Sequence, residues 1–388
     1  MSKPRLLVLP LGTTLRDNDS AGGKIHCYYV SKLEDKYDMT ILCKLSNRER
    51  TLFNEKRLSV PYIFTNDCPP SLFARCVNKF LTVMRLHDHF PFFCYLDQAA
   101  FISKINLLKK QGYNPDVVIL DWTHCIVLAK YIKKAFPAAK IIGCEQDVSF
   151  LRFERAIPLQ KTEKERKQAE KICKIAKRME LSALSLLDQI DVLDEKDANL
   201  IPQFKEKIKI VAPYFDDYSD LKRTPDRHKI IFFGAMGRPE NYECVIWFIE
   251  NVFKKLPEDF SFTVVGGSPH PLLKQYESGR ILLTGFVEDV RPYFADALCM
   301  VVPLFLGAGI KIKVLEAMSA GIPVLTNAIG IEGIPAKNGA EYVHCKTAED
   351  YEKSILDLSR DGTAAERISN NARSLVKEHF DYTKCSYV

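Results

Sequence analysis

The chain from Val301 to Leu325 reads VVPLFLGAGIKIKVLEAMSAGIPVL. It begins with a short apolar run, which is typical of a strand buried in a parallel sheet. Glycines follow at 307 and 309, then a segment with helical periodicity, and Gly321 and Pro323 lead into a second apolar run. This order predicts a strand, a glycine loop, a helix and another strand.

The start of the predicted helix has the chemistry of an anion site. Its first backbone amides have no acceptor within the helix and lie at the positive end of the helix dipole. Gly307 and Gly309 would let a diphosphate approach the main chain, and Lys311 or Lys313 would add positive charge. Glu316 follows about one turn later, where a carboxylate can accept two sugar hydroxyl hydrogen bonds. The implied ligand is a nucleoside diphosphate that carries a sugar, and the alternative is an ordinary glycine-rich connection with surface lysines.

Three blocks upstream complete a longer pattern, at residues 230–241, 262–267 and 283–293. In order and spacing they resemble group 1 (family 4) glycosyltransferases, which are retaining nucleotide-sugar enzymes, over roughly residues 205–340. The resemblance implies an α/β chain of GT-B fold, with two Rossmann-like domains and a cleft between them. It also implies transfer of a hexosyl or other glycosyl group to an alcohol, with the nucleoside-diphosphate sugar as co-substrate and without a cofactor.

The resemblance assigns roles in the donor half. Arg238 matches an arginine that binds the diphosphate, and Glu316 matches a glutamate that binds the nucleotide ribose. Many relatives carry a second glutamate with seven residues in between, but here that position is Ala308, and the loop amides are the expected substitute. The lysine that usually follows the arginine is also absent, and Lys311 or Lys313 is the expected replacement. The predicted donor-binding residues are Gly22, Gly23, Gly237, Arg238, Gly307, Ala308, Gly309, Lys311, Lys313 and Glu316.

The N-terminal half resembles the family loosely. The pair Gly22-Gly23 lies in the loop 12–24, which resembles the glycine-rich loop of the family, with a flexible connection as the alternative. Asp121 and His124 follow a later predicted strand, in the region where the family places a histidine or an acidic residue near the reacting sugar. His124 could donate to a sugar hydroxyl or phosphate, or be a structural histidine. Asp121 could orient an acceptor hydroxyl or balance charge on the donor carbon.

The expected chemistry is electrostatic. The leaving diphosphate takes on charge as the anomeric bond breaks, and cations and helix amides stabilise that charge. The predicted catalytic residues are Asp121, His124, Arg238 and Lys311. Glu145 and Asp147 follow another predicted strand and either bind the acceptor or cap a helix. No metal site is predicted, because the donor region has no Asp-x-Asp motif and the cysteines form no Cys-x-x-Cys pair.

The chain of 388 residues is long enough for two or three domains. Apolar strand-like runs alternate with helical patterns in both halves, which favours parallel sheets covered by helices. We predict an acceptor-side domain at 1–207, a donor domain at 208–365 and a helical segment at 366–388. By resemblance, that segment crosses back to the first domain.

Composition places the chain among ordinary globular proteins, with 47% hydrophobic and 27% charged residues. The opening apolar run is interpreted as the first strand and not as a leader, because charged residues stand where cleavage would occur. A cytoplasmic location is expected, with the twelve cysteines as reduced core residues. The net charge of +6 is too modest to indicate nucleic acid as a partner.

Residues 71–86 predict an amphipathic helix that either lies on an anionic membrane surface or packs on its own domain. Its apolar face is Phe73, Cys76, Val77, Phe80, Val83 and Met84, and its polar face is Arg75, Asn78, Lys79, Thr82 and Arg85. Membrane contact would favour a lipid-linked glycan as acceptor, in cell-surface polysaccharide or glycoconjugate synthesis. The alternatives to an active transferase are a degenerate GT-B protein that binds nucleotide sugar or supports a partner enzyme, and a nucleotide-sugar epimerase.

Overall fold

The computed structural model describes residues 3–15, 20–84, 86 and 90–388. The chain divides into two compact units, which are Met1–Tyr214 with Lys384–Val388, and Phe215–Thr383. Each unit is a parallel sheet covered by helices, as the alternation of apolar runs predicts. Among the described residues, no helix combines the length and the apolar character needed to cross a bilayer.

The first unit is built on a seven-stranded parallel sheet with the order β3-β2-β1-β4-β5-β6-β7. Its strands are β1 Arg5–Leu9, β2 Asp38–Cys43, β3 Tyr62–Phe64, β4 Val117–Asp121, β5 Lys140–Glu145, β6 Gln189–Val192 and β7 Ile208–Ile210. Its helices are α1 Ala21–Ser31, α2 Asn47–Lys56, α3 Leu72–Val83, α4 Tyr95–Lys110, α5 Trp122–Ile126, α6 Ala129–Ala135, α7 Phe150–Ala156, α8 Glu163–Leu184 and α9 Glu195–Leu200, followed by a 3-10 turn at Pro202–Lys207.

The second unit has a six-stranded parallel sheet with the order β10-β9-β8-β11-β12-β13. Its strands are β8 Lys229–Phe233, β9 Ser261–Val265, β10 Ile281–Gly285, β11 Cys299–Val302, β12 Val324–Thr326 and β13 Val343–His344. Its helices are α10 Pro239–Asn251, α11 Pro271–Lys274, α12 Arg291–Ala295, α13 Ile312–Ser319, α14 Ala348–Arg360 and α15 Gly362–His379, with 3-10 turns at Phe253–Lys255 and, near the end of the chain, Tyr382–Lys384.

Both sheets reverse their strand order beside the first strand. In the first unit β1 pairs with both β2 and β4, and in the second β8 pairs with both β9 and β11. The loops that leave the carboxyl ends of these neighbouring strands diverge to opposite faces and leave a crevice, which is where open α/β sheets bind ligands. The predicted site residues follow these strands: Asp121 ends β4, Arg238 follows β8, and the glycine loop at 307–309 follows β11.

The ends of the two units differ from the predicted boundaries at 207/208 and 365/366. β7 pairs with β6 and extends the first sheet, so residues 208–214 belong to the first unit. Helix α15 packs on α13 and belongs to the second unit, where the Arg373 guanidinium donates to the Ala320 carbonyl over 2.6 Å. Of the segment 366–388, only the last five residues belong to the first unit.

Tyr387 attaches that last segment to the first unit. Its ring is fully buried and lies 4.6 Å, centroid to centroid, from the ring of Tyr29. The Tyr387 carbonyl accepts a hydrogen bond from Gln189 over 3.1 Å. The Tyr29 hydroxyl in turn donates to the Ala212 carbonyl, so one aromatic pair connects α1, the strand β6 and the end of the chain.

We expect Tyr387→Ala to lower the free energy of unfolding by about 3–5 kcal/mol, because it removes a buried aromatic ring and leaves a cavity. Urea denaturation of the full chain measures the effect. Tyr387→Phe is the matched control and should be nearly neutral, since it keeps the ring and removes only the hydroxyl. Equal stability of the wild type and Tyr387→Ala would contradict the docking of this segment.

Candidate functional site

The loop after β8 packs directly against the loop after β9. The Gly234 amide donates to the Val265 carbonyl over 3.0 Å. At Gly266, where φ is +146°, a Cβ would lie 1.8 Å from the Gly234 oxygen. Glycine is therefore required at 266, since any side chain would push the two loops apart. This close contact fixes the loop that leads to Arg238 at the start of α10.

Arg238 is the N-cap residue of α10, which begins with proline. Its side chain is 57% exposed, and its guanidinium pairs with the Glu240 carboxylate in the first turn of the helix. Gly237 precedes it, and a Cβ there would lie 3.3 Å from the Ser268 carbonyl oxygen. The cation is thus accessible and stands at the start of a helix, where a guanidinium can bind phosphate oxygens.

Lys313 lies in the first turn of α13, and its ammonium is enclosed. Nζ donates to Asn241 Oδ1 over 2.6 Å and lies 4.5 Å from the centroid of the Phe232 ring. Burial, together with the positive charges of Arg238 and Lys311, lowers the pKa of Lys313 to about 8. An anion bound beside it would restore its charge, because an opposite charge favours the protonated amine.

Asn241 is a site residue that the sequence patterns did not indicate. It is buried in the first turn of α10, and its Nδ2 donates to the Ala235 carbonyl over 2.9 Å. The same amide therefore connects the β8 loop to the Lys313 ammonium on α13. A buried asparagine three residues after a candidate phosphate-binding arginine is the signal that could have identified it.

The glycine loop folds around Lys311. Gly307 and Gly309 have φ values of +135° and +69°, which favour glycine. Lys311 is buried, and its ammonium donates to the Gly309 carbonyl and pairs with Glu332 at 3.8 Å. Ala308 lies at the tip, and its carbonyl is 3.5 Å from the same ammonium. The Lys311 charge therefore stabilises the loop conformation, while the neighbouring Lys313 faces Asn241.

Glu316 lies on α13 one turn after Lys313 and is 4% exposed. Burial raises the pKa of the Tyr218 hydroxyl, and the nearby negative charge of Glu316 raises it further. The Tyr218 amide also donates to the Ser319 hydroxyl over 3.1 Å, which fixes the segment before β8 against α13. The structure thus brings Arg238, Lys313 and the glycine loop to the same carboxyl edge of the second sheet, with Glu316 deeper on the same helix as Lys313.

In the first unit, Asp121 belongs to a buried network of polar side chains. Its Oδ2 lies 3.1 Å from His26 Nδ1, and its Oδ1 accepts a hydrogen bond from Gln146 over 3.0 Å. His26 Nε2 lies 2.8 Å from the Thr14 hydroxyl. His26 and Gln146 were not among the sequence candidates, because no spacing connects them to Asp121.

His124 does not belong to this network of polar side chains. Its ring is 5.9 Å from the rings of both Phe92 and Phe93, in edge-on contact. Burial first, and the nearby Arg152 second, lower the pKa of His124 below its ordinary value of 6.5. The imidazole is therefore neutral at pH 7 and can donate one hydrogen bond without carrying charge.

Trp122 lies between Asp121 and His124 in the sequence. Its φ is +66°, an unusual value for a bulky residue. Its indole covers the first turn of α1, and a Cβ at Gly22 would lie 2.5 Å from the ring. The Gly23 amide donates to the Ser20 hydroxyl, which caps the helix. The other part of the predicted glycine-rich loop, residues 16–19, lies outside the described residues.

Glu145 ends β5 and shares a buried pocket with Glu180 of α8. Glu145 accepts a hydrogen bond from the Thr123 hydroxyl over 2.5 Å, and Glu180 accepts from the amides of Ser149 and Phe150 over 2.7 and 2.8 Å. Burial raises the pKa of Glu180 to about 8, and burial and the Glu180 charge raise that of Glu145 well above its ordinary value of 4.5. At pH 7 the pair therefore holds at least one proton.

Asp147 lies two residues further and pairs with Arg152, with 2.6 Å between Oδ2 and Nη2. It also accepts a hydrogen bond from the Ser149 hydroxyl over 3.1 Å. These contacts fix the turn into α7, which agrees with a structural role and leaves the acceptor role of Asp147 a prediction. Among the described residues, no group of three or more His, Cys, Asp and Glu side chains is arranged to hold a metal ion.

Comparison with known proteins identifies relatives of both the sequence and the fold. Residues 227–361 match the family described as glycosyl transferases group 1. A Klebsiella pneumoniae protein, described as an uncharacterized 44.6 kDa protein in the cps region, is 26% identical over 190 residues. That match covers 46% of this chain and 48% of the other, so the chain spans about half the length of this curated relative.

Two solved structures share the architecture along nearly the whole chain. HepE of Anabaena, in complex with UDP, is 13% identical with a TM-score of 0.68, and the match covers 98% of this chain and 96% of HepE. WaaG, a glycosyltransferase involved in lipopolysaccharide biosynthesis, is 13% identical with a TM-score of 0.64, over 97% and 96% of the two chains. These findings confirm the GT-B fold and the resemblance to group 1 glycosyltransferases, and the second unit carries the matched region.

We expect the affinity for UDP, used as a probe diphosphate, to fall as the pH rises from 7 to 9, because Lys313 loses its charge above a pKa of about 8. The loss should be several-fold and approach about tenfold. Titration calorimetry at both pH values measures it. Lys313→Met should bind more weakly with little dependence on pH, while Lys353→Met, at an exposed position, should behave like the wild type. A pH dependence that survives in Lys313→Met would contradict the assignment.

We expect the free energy of unfolding of Glu145→Gln, measured relative to that of the wild type, to be higher at pH 8 than at pH 5.5. The folded pKa of Glu145 lies above the unfolded value, so wild-type stability falls as the pH rises above 4.5, where the unfolded chain ionises and the folded one retains its proton. The glutamine keeps an acceptor for Thr123 and removes this loss, which we place at about 1–2 kcal/mol.

Urea denaturation at the two pH values measures this difference. The control is Glu163→Gln, which replaces an exposed carboxylate at the start of α8 and should reproduce the wild-type pH dependence. If Glu145→Gln has the same pH dependence as the wild type, the two glutamates do not share a proton.

Proposed function

We propose that this group 1 glycosyltransferase moves a glycosyl group from a nucleoside-diphosphate sugar to a hydroxyl of a glycan or lipid-linked glycan, with retention at the anomeric carbon. The observation that carries the proposal is the meeting of Arg238, Lys313 and the start of α13 at one carboxyl edge, inside the region that matches the family. Two cations beside a glycine loop at the start of a helix are groups that bind a diphosphate.

In the proposed reaction, the bond between the anomeric carbon and the diphosphate oxygen breaks, and the electron pair leaves with the diphosphate. Arg238 and Lys313 stabilise the negative charge that develops, and the amides of Ala308 and Gly309 add hydrogen bonds. The acceptor oxygen bonds to the anomeric carbon from the same face, and its proton passes to the departing diphosphate oxygen. Glu316 binds the nucleotide ribose, as its position on α13 and the family resemblance suggest.

In the first unit, two groups are suited to the acceptor and the sugar. His124 is neutral at pH 7 and can donate a hydrogen bond, while Glu145 can accept one or, when protonated, donate one. Asp121 contacts His26 and Gln146, so we assign it the role of orienting these two side chains. Its carboxylate would also balance positive charge on the donor carbon.

The substrate class is supported by similarity. HepE is solved with UDP and also with UDP-glucose, WaaG acts in lipopolysaccharide biosynthesis, and the Klebsiella pneumoniae protein is from the cps region. We infer a nucleotide-sugar donor, with a uridine nucleotide as the first to test, and an acceptor that belongs to a cell-surface polysaccharide or glycoconjugate. The reaction would take place on the cytoplasmic side, where nucleotide sugars are available.

We expect one class in a panel of UDP-, GDP-, ADP- and TDP-sugars to raise the melting temperature of the protein, because a ligand that binds only the folded state stabilises it. Arg238→Ala should weaken that binding by about tenfold or more, since it removes a charge-assisted contact from an exposed position without disturbing the core. The control is Arg367→Ala, which changes an exposed arginine on α15 of the same unit.

Three outcomes would count against the proposal. The absence of a shift with every donor would indicate that the site does not bind nucleotide sugars. Binding without either transfer or slow release of free sugar would favour a degenerate protein, for which Ala308 in place of a glutamate is the specific reason. Formation of an isomeric nucleotide sugar would instead identify an epimerase.

A further inference from the structure

Helix α3 turns its apolar face toward solvent. Leu72 and Val83 are each 71% exposed, Phe73 is 75% exposed and Phe80 is 58% exposed. Ala74 is the buried residue of this helix. The expectation that the apolar face packs on its own domain is therefore wrong: the helix attaches to the unit through a side centred on its small residue, and leaves the large side chains outside.

The exposed side chains form one continuous stripe. At 100° per residue, positions 72, 73, 76, 80, 83 and 84 fall within about one third of the helix circumference. Leu81 and Asn78 lie on the opposite side with Ala74 and are half-buried. Two aromatic rings and three aliphatic side chains on one stripe form a contiguous apolar patch, which a monomeric protein rarely leaves uncovered.

Positive charge accompanies the stripe. Arg75 and Lys79 are exposed and lie beside its edge, one turn apart. The helix contains no acidic residue between Leu72 and Met84. Arg85, which the sequence also places on the polar face, lies outside the described residues.

We propose that α3 is a membrane-docking helix that lies in the surface of an anionic bilayer. Phe73, Phe80 and their neighbours enter the boundary between headgroups and acyl chains, and Arg75 and Lys79 contact lipid phosphates from the edge. The apolar stripe provides affinity for any bilayer, and the cations provide preference for a negatively charged one.

The charge pattern of α3 favours an anionic bilayer over a second copy of the chain or another protein as its binding partner. A second copy of the chain, paired about a two-fold axis, would bring Arg75 and Lys79 of each helix close to the same cations of its partner. A protein partner would need its own acidic, apolar surface, whereas an anionic bilayer presents both chemistries everywhere. For a lipid-linked acceptor, docking through α3 would also bring the enzyme to its substrate, a consequence that rests on the proposed function.

Vesicle flotation tests the docking without any donor or acceptor, so its result is independent of transfer activity. The full chain is mixed with vesicles of phosphatidylcholine containing phosphatidylglycerol, or of phosphatidylcholine alone. We expect binding to the mixed vesicles, and at least about tenfold weaker binding for the double variant Phe73→Ser with Phe80→Ser. The matched control is Leu159→Ser, which changes a 50% exposed apolar residue elsewhere in the same unit and should float like the wild type.

A second arm separates charge from apolar contact. Arg75→Gln with Lys79→Gln should weaken binding to the anionic vesicles by about fivefold for each cation and leave weak binding to neutral vesicles unchanged. High salt should have the same effect on the wild type. Flotation that is absent at low salt, or that is the same in the double serine variant, would overturn the proposal. A change in oligomeric mass of that variant in size-exclusion light scattering, without a change in flotation, would assign the face to a second copy.

Discussion

The carboxyl edge of the second sheet depends on holding one ammonium group in a place from which water is largely excluded. Lys313 is tolerated there because Asn241 accepts a hydrogen bond from it and the Phe232 ring faces it. Burial of the ammonium is costly, and the lowered pKa of Lys313 expresses that cost. A diphosphate bound beside Lys313 would raise this pKa again, because an opposite charge favours the protonated amine.

Most features around Lys313 serve this arrangement. The glycine at 266 permits the loops after β8 and β9 to touch, and the first of these loops leads to Arg238, the N-cap of α10, and to Asn241 in its first turn. The salt bridge between Lys311 and Glu332 fixes the glycine loop from the other side. The first unit has the opposite character, because Asp121 and Glu145 end its strands β4 and β5, and their carboxyl groups accept hydrogen bonds from Gln146 and Thr123.

The fold could be predicted from the sequence because both halves repeat the same alternation of buried strands and amphipathic helices. The sequence also predicts the loop and its position, since the positive φ values at Gly307 and Gly309 agree with a glycine turn after β11, while its ligand stays a prediction. Asn241, His26 and Glu180 could not, because their roles come from contacts between elements distant in the chain. Periodicity identified the apolar face of α3 but could not decide whether that face is covered, since this depends on what the rest of the unit presents to it.

The distribution of the twelve thiols allows selective labelling of α3. Most cysteines are buried, and burial raises the pKa of those at 43, 125, 144, 244, 299 and 345, so they remain protonated and unreactive. Cys76 is exposed and lies within the apolar stripe of α3, and the other exposed thiols are Cys68 and Cys94. After replacement of those two by serine, an environment-sensitive fluorophore on the native Cys76 would report the polarity around the helix without an engineered attachment point.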